Sequence, residues 1–404
     1  MLLKSVAAFL IGLLGASAAA AGAGHALSGM AAPERGATSL ARSAAQLVGL
    51  LVYDDGYGSR TEIATLDGRR HWTVTATPPG VESDPKWAPD GRRIAFVART
   101  KTHLALYVVN ADGRTGLRVL ARFVAPGGPP LDRLSFAWSP DGRRLALATS
   151  MASACRVGRR QLSILHLYIV DANGGRLRAL PIAAGTAHFE RWKLVPIAIP
   201  ILTWGHSGRT LLYTVDWGIS RPTDYDSDCQ FYIDSLHVVR ADGMGSRRLV
   251  APNEPIGGAA WSWDERRIAF AECQIQGGCL GVTTINSDGS QRRVLPHSGG
   301  LNFEEPVAWL PDGKVVFGGD KLYSETPGSD RRNTLPRSRI DPYILDVSAD
   351  GHQVAFVGLS GSHAVLRVAD LDTHRTVDTR VPTDLPTGDL TSGYVANKDV
   401  HLGG

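Results

Sequence analysis

The segment 216–230 carries the densest set of side chains that could bind a ligand. Its aspartates Asp224, Asp226 and Asp228 alternate along the chain, as oxygen ligands do in calcium-binding loops. The match to an EF-hand is incomplete, because Cys229 stands where that pattern has glycine and no glutamate follows at the required distance. A solvated acidic loop is therefore favoured over a calcium site, and no other cofactor or metal is predicted.

The same segment could instead recognise a sugar or a peptide. Trp217, Tyr225 and Tyr232 carry flat aromatic rings that stack well on such ligands. Asp224, Asp226 and Glu272 could supply the two carboxylates that glycosidases hold about 5–10 Å apart. We assign no catalytic residue and predict ligand binding by Asp216, Trp217, Asp224, Tyr225, Asp226, Asp228 and Glu272.

Other familiar catalytic patterns do not assemble. The string 358–362 (GLSGS) lacks the second glycine of a nucleophile elbow, so Ser360 is interpreted as a loop serine. The histidines show neither H-x-H nor H-E-x-x-H spacing, which argues against a histidine metal site. Arginine pairs such as Arg92–Arg93 and Arg143–Arg144 follow turns and are interpreted as solvated.

Composition and charge set limits on the class of protein. The 404 residues include 43 Lys and Arg against 39 Asp and Glu, a formal net charge of +4. So small an excess argues against a dedicated nucleic-acid binder, which needs a broad positive field. Hydrophobic residues make up 43 % of the chain, which argues against intrinsic disorder. The 45 glycines are spread along the whole chain, as turns are in an all-β protein.

The N-terminus resembles a targeting segment. Residues 1–26 combine Lys4, an apolar stretch at 6–14 and small residues suited to cleavage, the layout of a secretory signal peptide. The alternative is an uncleaved anchor, because the weakly apolar stretch 5–24 is about long enough to span a bilayer. We expect an exported monomer, extracellular, periplasmic or envelope-associated, with residues 27–47 as a linker and no membrane contact beyond this segment.

One phrase recurs along the rest of the chain. It reads W-A-P-D-G from Trp87, W-S-P-D-G from Trp138 and W-L-P-D-G from Trp309, with degraded copies from Trp204, Trp261 and Val347. The intervals of roughly 40 to 65 residues are near those of four-stranded propeller blades. We predict structural roles, above all packing between blades, for Trp87, Asp90, Gly91, Trp138, Asp141, Gly142, Trp204, Trp261, Trp309, Asp312 and Gly313.

Strand patterns follow each copy of the phrase. After Trp87 come apolar runs at 94–97, 106–110 and 118–120, with an Asp-Gly pair at 112–113 before the last. Asx-Gly between apolar runs is a strong hairpin signal, because glycine accepts positive φ. Each unit is therefore predicted to be a meander of four antiparallel strands, A to D, and the fold an all-β propeller.

The first unit is incomplete, which predicts how the ring closes. Segments 50–53, 62–68 and 72–74 supply strands B, C and D, and a closed ring could take strand A from the C-terminus, around 393–396. Closing a ring in this way removes its sheet edges. Six complete units and this shared blade predict seven blades over residues 48–400. Six blades are the alternative, because the strands after Trp309 are poorly patterned.

These repeats resemble those of the TolB-type propeller family, also called WD40-like or PD40 repeats. Family blades read roughly W-S-P-D-G-(K/R)-x-I-A-F, then I-Y-V-M-D-x-D-G, then R-x-L-T, and the match covers most of residues 48–380. The resemblance implies a rigid binding platform for a protein or cell-envelope ligand. Family members with an α/β domain before the propeller, or a hydrolase domain beside it, differ from this sequence, so only fold and platform are carried over.

The meander predicts where ligands bind. Turns A–B and C–D lie on one face of the ring, here called the short-turn face, and connections B–C and D–A lie on the other, the long-loop face. The long segments all belong to the second kind: 123–133, 150–163, 183–199, 216–230 and 272–279. Long loops on a rigid scaffold commonly carry function. We predict a non-enzymatic binding platform, with a carbohydrate-active lyase or glycosidase as the alternative and a ligand-free structural protein as the third hypothesis.

The four cysteines fit this topology. An even number in an exported chain indicates two disulfides, and the lack of a C-x-x-C pair disfavours zinc. Cys155 and Cys229 fall in B–C loops of consecutive blades, whereas Cys273 and Cys279 fall in one B–C hairpin. The predicted pairs are Cys155–Cys229 and Cys273–Cys279.

Overall fold

The structure is a computed structural model. It describes residues 50–54, 61–65, 71–74, 81–100, 103–124, 131–151, 165–182, 187–189, 192–199, 201–219, 233–252, 255–273, 279–299, 307–318, 321–335, 343–348, 351–360, 363–373, 375–378 and 400–403. Within these ranges the regular elements are β-strands joined by turns, and no segment is helical. The described residues accordingly include no helix that could cross a membrane.

Thirty strands are described. In chain order they are β1 Leu50–Asp54, β2 Thr61–Thr65, β3 His71–Thr73, β4 Val81–Trp87, β5 Arg93–Arg99, β6 His103–Asn110, β7 Arg118–Val124, β8 Leu131–Trp138, β9 Arg144–Met151, β10 His166–Asp171, β11 Arg178–Leu180, β12 Ala187–Phe189, β13 Trp192–Ala198, β14 Leu202–Trp204, β15 Thr210–Ile219, β16 Ile233–Arg240, β17 Arg247–Val250, β18 Ile256–Trp261, β19 Arg267–Cys273, β20 Cys279–Asn286, β21 Arg293–Val294, β22 Ala308–Trp309, β23 Val315–Phe317, β24 Tyr323–Glu325, β25 Arg332–Thr334, β26 Tyr343–Val347, β27 Gln353–Ser360, β28 His363–Asp370, β29 Arg375–Asp378 and β30 Val400–Gly403.

These strands form seven antiparallel sheets, which confirms the predicted β-propeller. Blade 1 contains β30, β1, β2 and β3, and blades 2 and 3 contain β4–β7 and β8–β11. Blade 4 contains β12–β17, and blades 5, 6 and 7 contain β18–β21, β22–β25 and β26–β29. The weakly patterned unit after Trp309 does form a blade, although its strands are only two or three residues long.

The ring closes between the two ends of the chain, as predicted. Strand β30 pairs antiparallel with β1, with Leu50 opposite Gly403 and Tyr53 opposite Val400. Strand β26 of blade 7 also contacts β30, so the last blade meets the first. The closing strand lies a few residues beyond the predicted segment 393–396, which is outside the described residues.

The hydrophobic core lies between neighbouring blades. The cluster between blades 2 and 3, for example, joins Val97 and Leu106 to Phe136 and Leu147, each at most 3 % exposed. Similar clusters fill the interfaces between blades 3 and 4, 4 and 5, 5 and 6, and 6 and 7. Strand B is apolar at successive positions because both of its faces pack on side chains of adjacent sheets.

The repeated tryptophans end strand A and are buried in these interfaces. Trp87, Trp138, Trp204, Trp261 and Trp309 are between 1 % and 9 % exposed. The indole N–H of Trp138 donates to the Lys86 carbonyl of blade 2 at 3.1 Å, and that of Trp204 donates to the Ala137 carbonyl of blade 3 at 3.1 Å. Each of these two rings thus joins its blade to the preceding one.

The rest of the phrase is explained by its turn. Gly91, Gly142 and Gly313 have φ between 64° and 84°, a conformation that favours glycine. The preceding aspartate holds the turn, since Asp141 Oδ1 accepts from the Arg143 backbone N–H at 3.0 Å, and Asp90 and Asp312 make the same contact with the residue two positions on. Both roles depend on residues within a single turn, which is why the repeated phrase could be recognised in the sequence.

The second arginine of each pair is not simply solvated, and that interpretation was wrong. Arg93 Nη2 donates to the Gly142 carbonyl at 2.6 Å, and Arg144 Nη2 donates to the Gly208 carbonyl at 2.9 Å. The same guanidinium groups lie over Trp138 and Trp204 at 5.3 and 5.0 Å from the ring centroids. Each arginine therefore clamps the A–B turn of the next blade.

The junction of blades 4 and 5 uses a different clamp. Thr210 stands at the arginine position, and Glu265 stands at the glycine position of the next turn with φ of 54°. The Glu265 carboxylate accepts from Thr210 Oγ1 at 3.0 Å and from the Ser207 backbone N–H. The donors still belong to the earlier blade, but the long side chain now comes from the later one, so the two departures from the repeat compensate each other.

Candidate functional site

Blade 4 is built up on the long-loop face. Its strand B, β15, is ten residues long, and β14 pairs with the first part of it. The far part pairs with β13, with Leu194 opposite Ile219 and Ala198 opposite Asp216, and β12 adds an edge strand to β13. The segment 183–199 was predicted to be a loop, and this is corrected: most of it is a β-hairpin that widens the sheet.

The structure describes three of the predicted ligand-binding residues. Asp216 and Trp217 lie on β15, and Glu272 lies on β19, so all three belong to strand ends rather than loops. The other four, Asp224, Tyr225, Asp226 and Asp228, lie outside the described residues, as do Cys155 and Cys229. Binding of calcium or any other ligand by the 220–232 segment remains a prediction.

Trp217 has a different role from the predicted stacking surface. Its side chain is fully buried among the residues between blades 3 and 4. The indole N–H donates to Ser235 Oγ at 2.7 Å, and Ser235 Oγ is 2.6 Å from His237 Nε2. Because the ring is enclosed by the core, it presents no face to a ligand in this structure, and its role here is packing.

His237 completes this buried chain of hydrogen bonds. Its ring stacks on Tyr213 with 5.2 Å between centroids. Burial, together with the positive charge of Arg248, lowers the pKa of His237 to about 3. The imidazole is therefore neutral at ordinary pH, and its Nε2 shares a hydrogen bond with the Ser235 hydroxyl.

Asp216 faces a second aspartate that the sequence analysis missed. Asp234 is its direct partner across β15 and β16, and the two carboxyl groups are hydrogen bonded. Burial raises the pKa of Asp234 well above its usual value, and the adjacent charge of Asp216 raises it further. Asp234 Oδ2 also accepts from the Ile256 backbone N–H of blade 5 at 2.7 Å. The pair thus links blade 4 to blade 5 through the Ile256 N–H.

Glu272 lies beside this pair. It is opposite Ile256 in the pairing of β18 with β19, so the two neighbouring strand ends bring Asp216, Asp234 and Glu272 to one junction. The Glu272 carboxylate accepts from the Thr283 hydroxyl and forms an ion pair with Arg292. It is 9 % exposed, and its contacts lie within its own blade.

A pair of cysteines lies at the end of the next hairpin. Cys273 ends β19, Cys279 begins β20, and the two residues are directly paired with 3.6 Å between their Cα atoms. The structure joins their sulfur atoms, in the pattern predicted from the B–C topology. Among the described residues, no group of three or more His, Cys, Asp or Glu side chains is arranged to hold a metal ion.

A groove of about 620 Å³ lies on the opposite, short-turn face between blades 6 and 7. Its lining includes Lys314, Arg332 and His352. The Lys314 ammonium pairs with Asp312, and His352 Nδ1 is 2.9 Å from Asp372 Oδ2. Two of these three groups contact carboxylates of the fold, and the groove lies on the face opposite the predicted site.

These features define the class of protein: a seven-bladed β-propeller in which one blade is extended on the long-loop face. No protein-family model matches the chain, and no curated protein matches it in sequence. Solved structures do match in fold. They include TolB from Acinetobacter baumannii, with 13 % identity, a TM-score of 0.45 and 88 % of this chain covered.

Other solved structures also match the chain. An oligogalacturonate lyase in complex with manganese has 16 % identity and a TM-score of 0.51, covering 83 % of this chain and 85 % of that one. A nidogen/laminin complex has 12 % identity and a TM-score of 0.43, covering 88 % and 98 %. This chain spans 66 % of the TolB chain. At these identities the likeness shows the propeller fold and leaves function to the site.

Proposed function

We propose that this propeller is an exported, non-enzymatic binding platform whose partner is a protein docked on the long-loop face at blade 4. The observation that supports the proposal most directly is the extra hairpin of β12 and β13. Strand β12 is the last strand of its sheet, so one side of its backbone has no strand partner among the described residues. Such an edge accepts an extended segment of another chain as a further strand.

The carboxylates favour binding over hydrolysis. Asp234 is committed to Asp216 and to the Ile256 N–H, and Glu272 is committed to Thr283 and Arg292. A general acid needs its proton directed at a leaving group, whereas the contacts of Asp234 lie within the fold and Glu272 is held in an ion pair. Their contacts make the blade 4–5 junction rigid, which lowers the entropy lost when a partner docks.

The experiment compares capture by two matched variants. The full chain is immobilised and exposed to cell-envelope extract, and bound proteins are identified by mass spectrometry. Replacing Ala187–Phe189 with Gly-Ser-Gly should abolish capture of the specific partner. The control replaces Arg293 and Val294, on the exposed outer strand of blade 5, with Gly-Ser. This variant should still capture the same partner. Equal capture by both variants would refute docking at β12.

The carbohydrate-active alternative rests on one observation, the raised pKa of Asp234 beside Asp216. A protonated carboxyl next to a carboxylate is the arrangement of an acid–base pair. Incubation of the full chain with acidic and neutral oligosaccharides tests it. Turnover that disappears in Asp234→Asn, with the propeller still folded, would replace the platform proposal by an enzyme.

A further inference from the structure

The short-turn face of blades 2, 3 and 4 is unusually rich in arginine. This sector comprises the A–B turns at 88–93, 139–144 and 205–210, and the C–D turns with the first residues of strand D at 110–118, 171–178 and 240–248. It contains twelve arginines, five aspartates and no lysine. The arginines outnumber the aspartates by seven, which exceeds the +4 of the entire chain. A near-neutral total therefore conceals a strongly basic face.

Seven of these arginines are free to meet a ligand. Their side chains are exposed and make no salt bridge or hydrogen bond with any residue that the structure describes: Arg92, Arg114, Arg118, Arg143, Arg176, Arg209 and Arg248. The aspartates of the same turns hold backbone N–H groups, as Asp112 does with Arg114 at 2.8 Å. They fix the loop geometry, and the guanidinium groups remain available.

The arginines occupy equivalent places on successive blades. Arg92, Arg143 and Arg209 each follow the same position of an A–B turn, so the ring places them at one level. The clamps from Arg93 to Gly142 and from Arg144 to Gly208 hold those turns side by side. At the outer rim, Ser246 Oγ donates to the Pro181 carbonyl at 3.1 Å and links blades 3 and 4. The charges therefore lie on one broad, rigid surface.

Apolar tips stand among these charges. Met244 is 66 % exposed in the C–D turn of blade 4, and Leu117 is 37 % exposed next to Arg118 at the rim of blade 2. A soluble polyanion has no use for exposed aliphatic side chains, whereas a bilayer takes them up below its headgroups. Guanidinium groups beside apolar tips are the combination that binds anionic membranes.

We propose that the short-turn face of blades 2–4 docks on an anionic lipid bilayer. The phosphate headgroups are bound by the free arginines, and Leu117 and Met244 enter the interface. This docking leaves the long-loop face directed away from the membrane. It departs from the expectation that only the N-terminal segment contacts a membrane, and it does not depend on the partner proposed for blade 4.

The test measures vesicle binding by the full chain. Co-sedimentation is compared between vesicles of phosphatidylcholine alone and vesicles with equal parts of phosphatidylglycerol. The neutral vesicles report any binding through the apolar N-terminal segment. Binding to the anionic vesicles should exceed this, and should fall when NaCl is raised to about 0.5 M. Equal binding to both compositions would overturn the proposal.

Two sets of variants locate the surface. The first set combines Arg92→Gln, Arg143→Gln and Arg209→Gln. It should weaken binding to anionic vesicles about 100-fold, since each surface arginine raises the affinity by a factor of about five. The matched control, Arg266→Gln, Arg293→Gln and Arg331→Gln, removes three exposed arginines from blades 5 and 6 and should change binding only a few-fold. Equal losses in both sets would refute the assignment to blades 2–4.

Leu117→Ser with Met244→Ser distinguishes a bilayer from a soluble polyanion. The double variant should lose most of the binding that survives in high salt, because that part comes from apolar insertion. Unchanged vesicle binding by this variant, together with equally tight binding of heparin to the original chain, would overturn the membrane proposal in favour of a polyanionic polymer. Thermal melting of each variant verifies that the propeller is intact.

Discussion

Changing Thr210 and Glu265 together should restore much of the stability that each single change removes. At the neighbouring junctions an arginine of one blade bonds to a glycine carbonyl of the next and covers its tryptophan. At this junction Glu265 reaches back to Thr210 and Ser207 instead. The variant Thr210→Arg with Glu265→Gly rebuilds the ordinary clamp, with Trp261 available beneath the new guanidinium.

The magnitudes follow from the contacts. Glu265→Gly removes two hydrogen bonds to a carboxylate, about 3 kcal/mol for partly exposed bonds, and relieves about 1 kcal/mol of left-handed backbone strain. The expected net loss is about 2 kcal/mol. Thr210→Arg alone should cost about 1 kcal/mol, because the Glu265 carboxylate occupies the space that the longer side chain needs. The double variant should lie within about 1 kcal/mol of the original chain, where additivity predicts a loss of about 3.

Chemical denaturation of the four proteins measures this coupling. A control cycle pairs Thr210→Arg with Asp312→Asn at another junction, and it should be additive within about 0.5 kcal/mol. If Thr210 and Glu265 are also additive within that margin, the compensating-clamp explanation is refuted.

Three further predictions concern burial, the disulfide and pH. Trp204→Ala should lower the free energy of unfolding by about 3–5 kcal/mol, whereas Leu280→Ala, at a side chain 54 % exposed, should change it by under about 0.5; similar losses would contradict the interface role of the tryptophan. Peptide mapping without reductant should find Cys273 linked to Cys279, and a Cys155–Cys273 peptide would contradict the topology. Removing the link by Cys273→Ser with Cys279→Ser should lower the free energy of unfolding by about 2 kcal/mol. Because the pKa of Asp234 is raised in the folded state, its stabilising contribution is complete below the unfolded value of about 4 and is lost as pH rises towards the folded value. Asp234→Asn should therefore gain stability relative to the original chain as pH rises from about 4 to 7, in denaturation curves at several pH values; a pH-independent difference would show that Asp234 is not the titrating group.

The parts of the fold that sequence predicts are those with local causes. The Asp-Gly turns and the tryptophan at the end of strand A depend on residues a few positions apart, so each blade was readable even where strands are short. The position of β30 was missed because Val400–Gly403 carries no repeat phrase and is defined only by its pairing with β1.

The site required information that spacing does not contain. Asp234 becomes the partner of Asp216 through the register of a long hairpin, which the length of the intervening segment obscures. That register could have been found by aligning the apolar runs of β15 and β16 and counting outward to both aspartates. Trp217 was assigned to a ligand surface because its aromatic character was visible and its burial was not.

The pairing of β30 with β1 has a consequence for the order of assembly. Blade 1 lacks its inner strand until residues 400–403 have been synthesised, so the ring cannot close before then. For a polypeptide that crosses a membrane unfolded, as we propose, the ring stays open during passage and locks when the C-terminal end arrives.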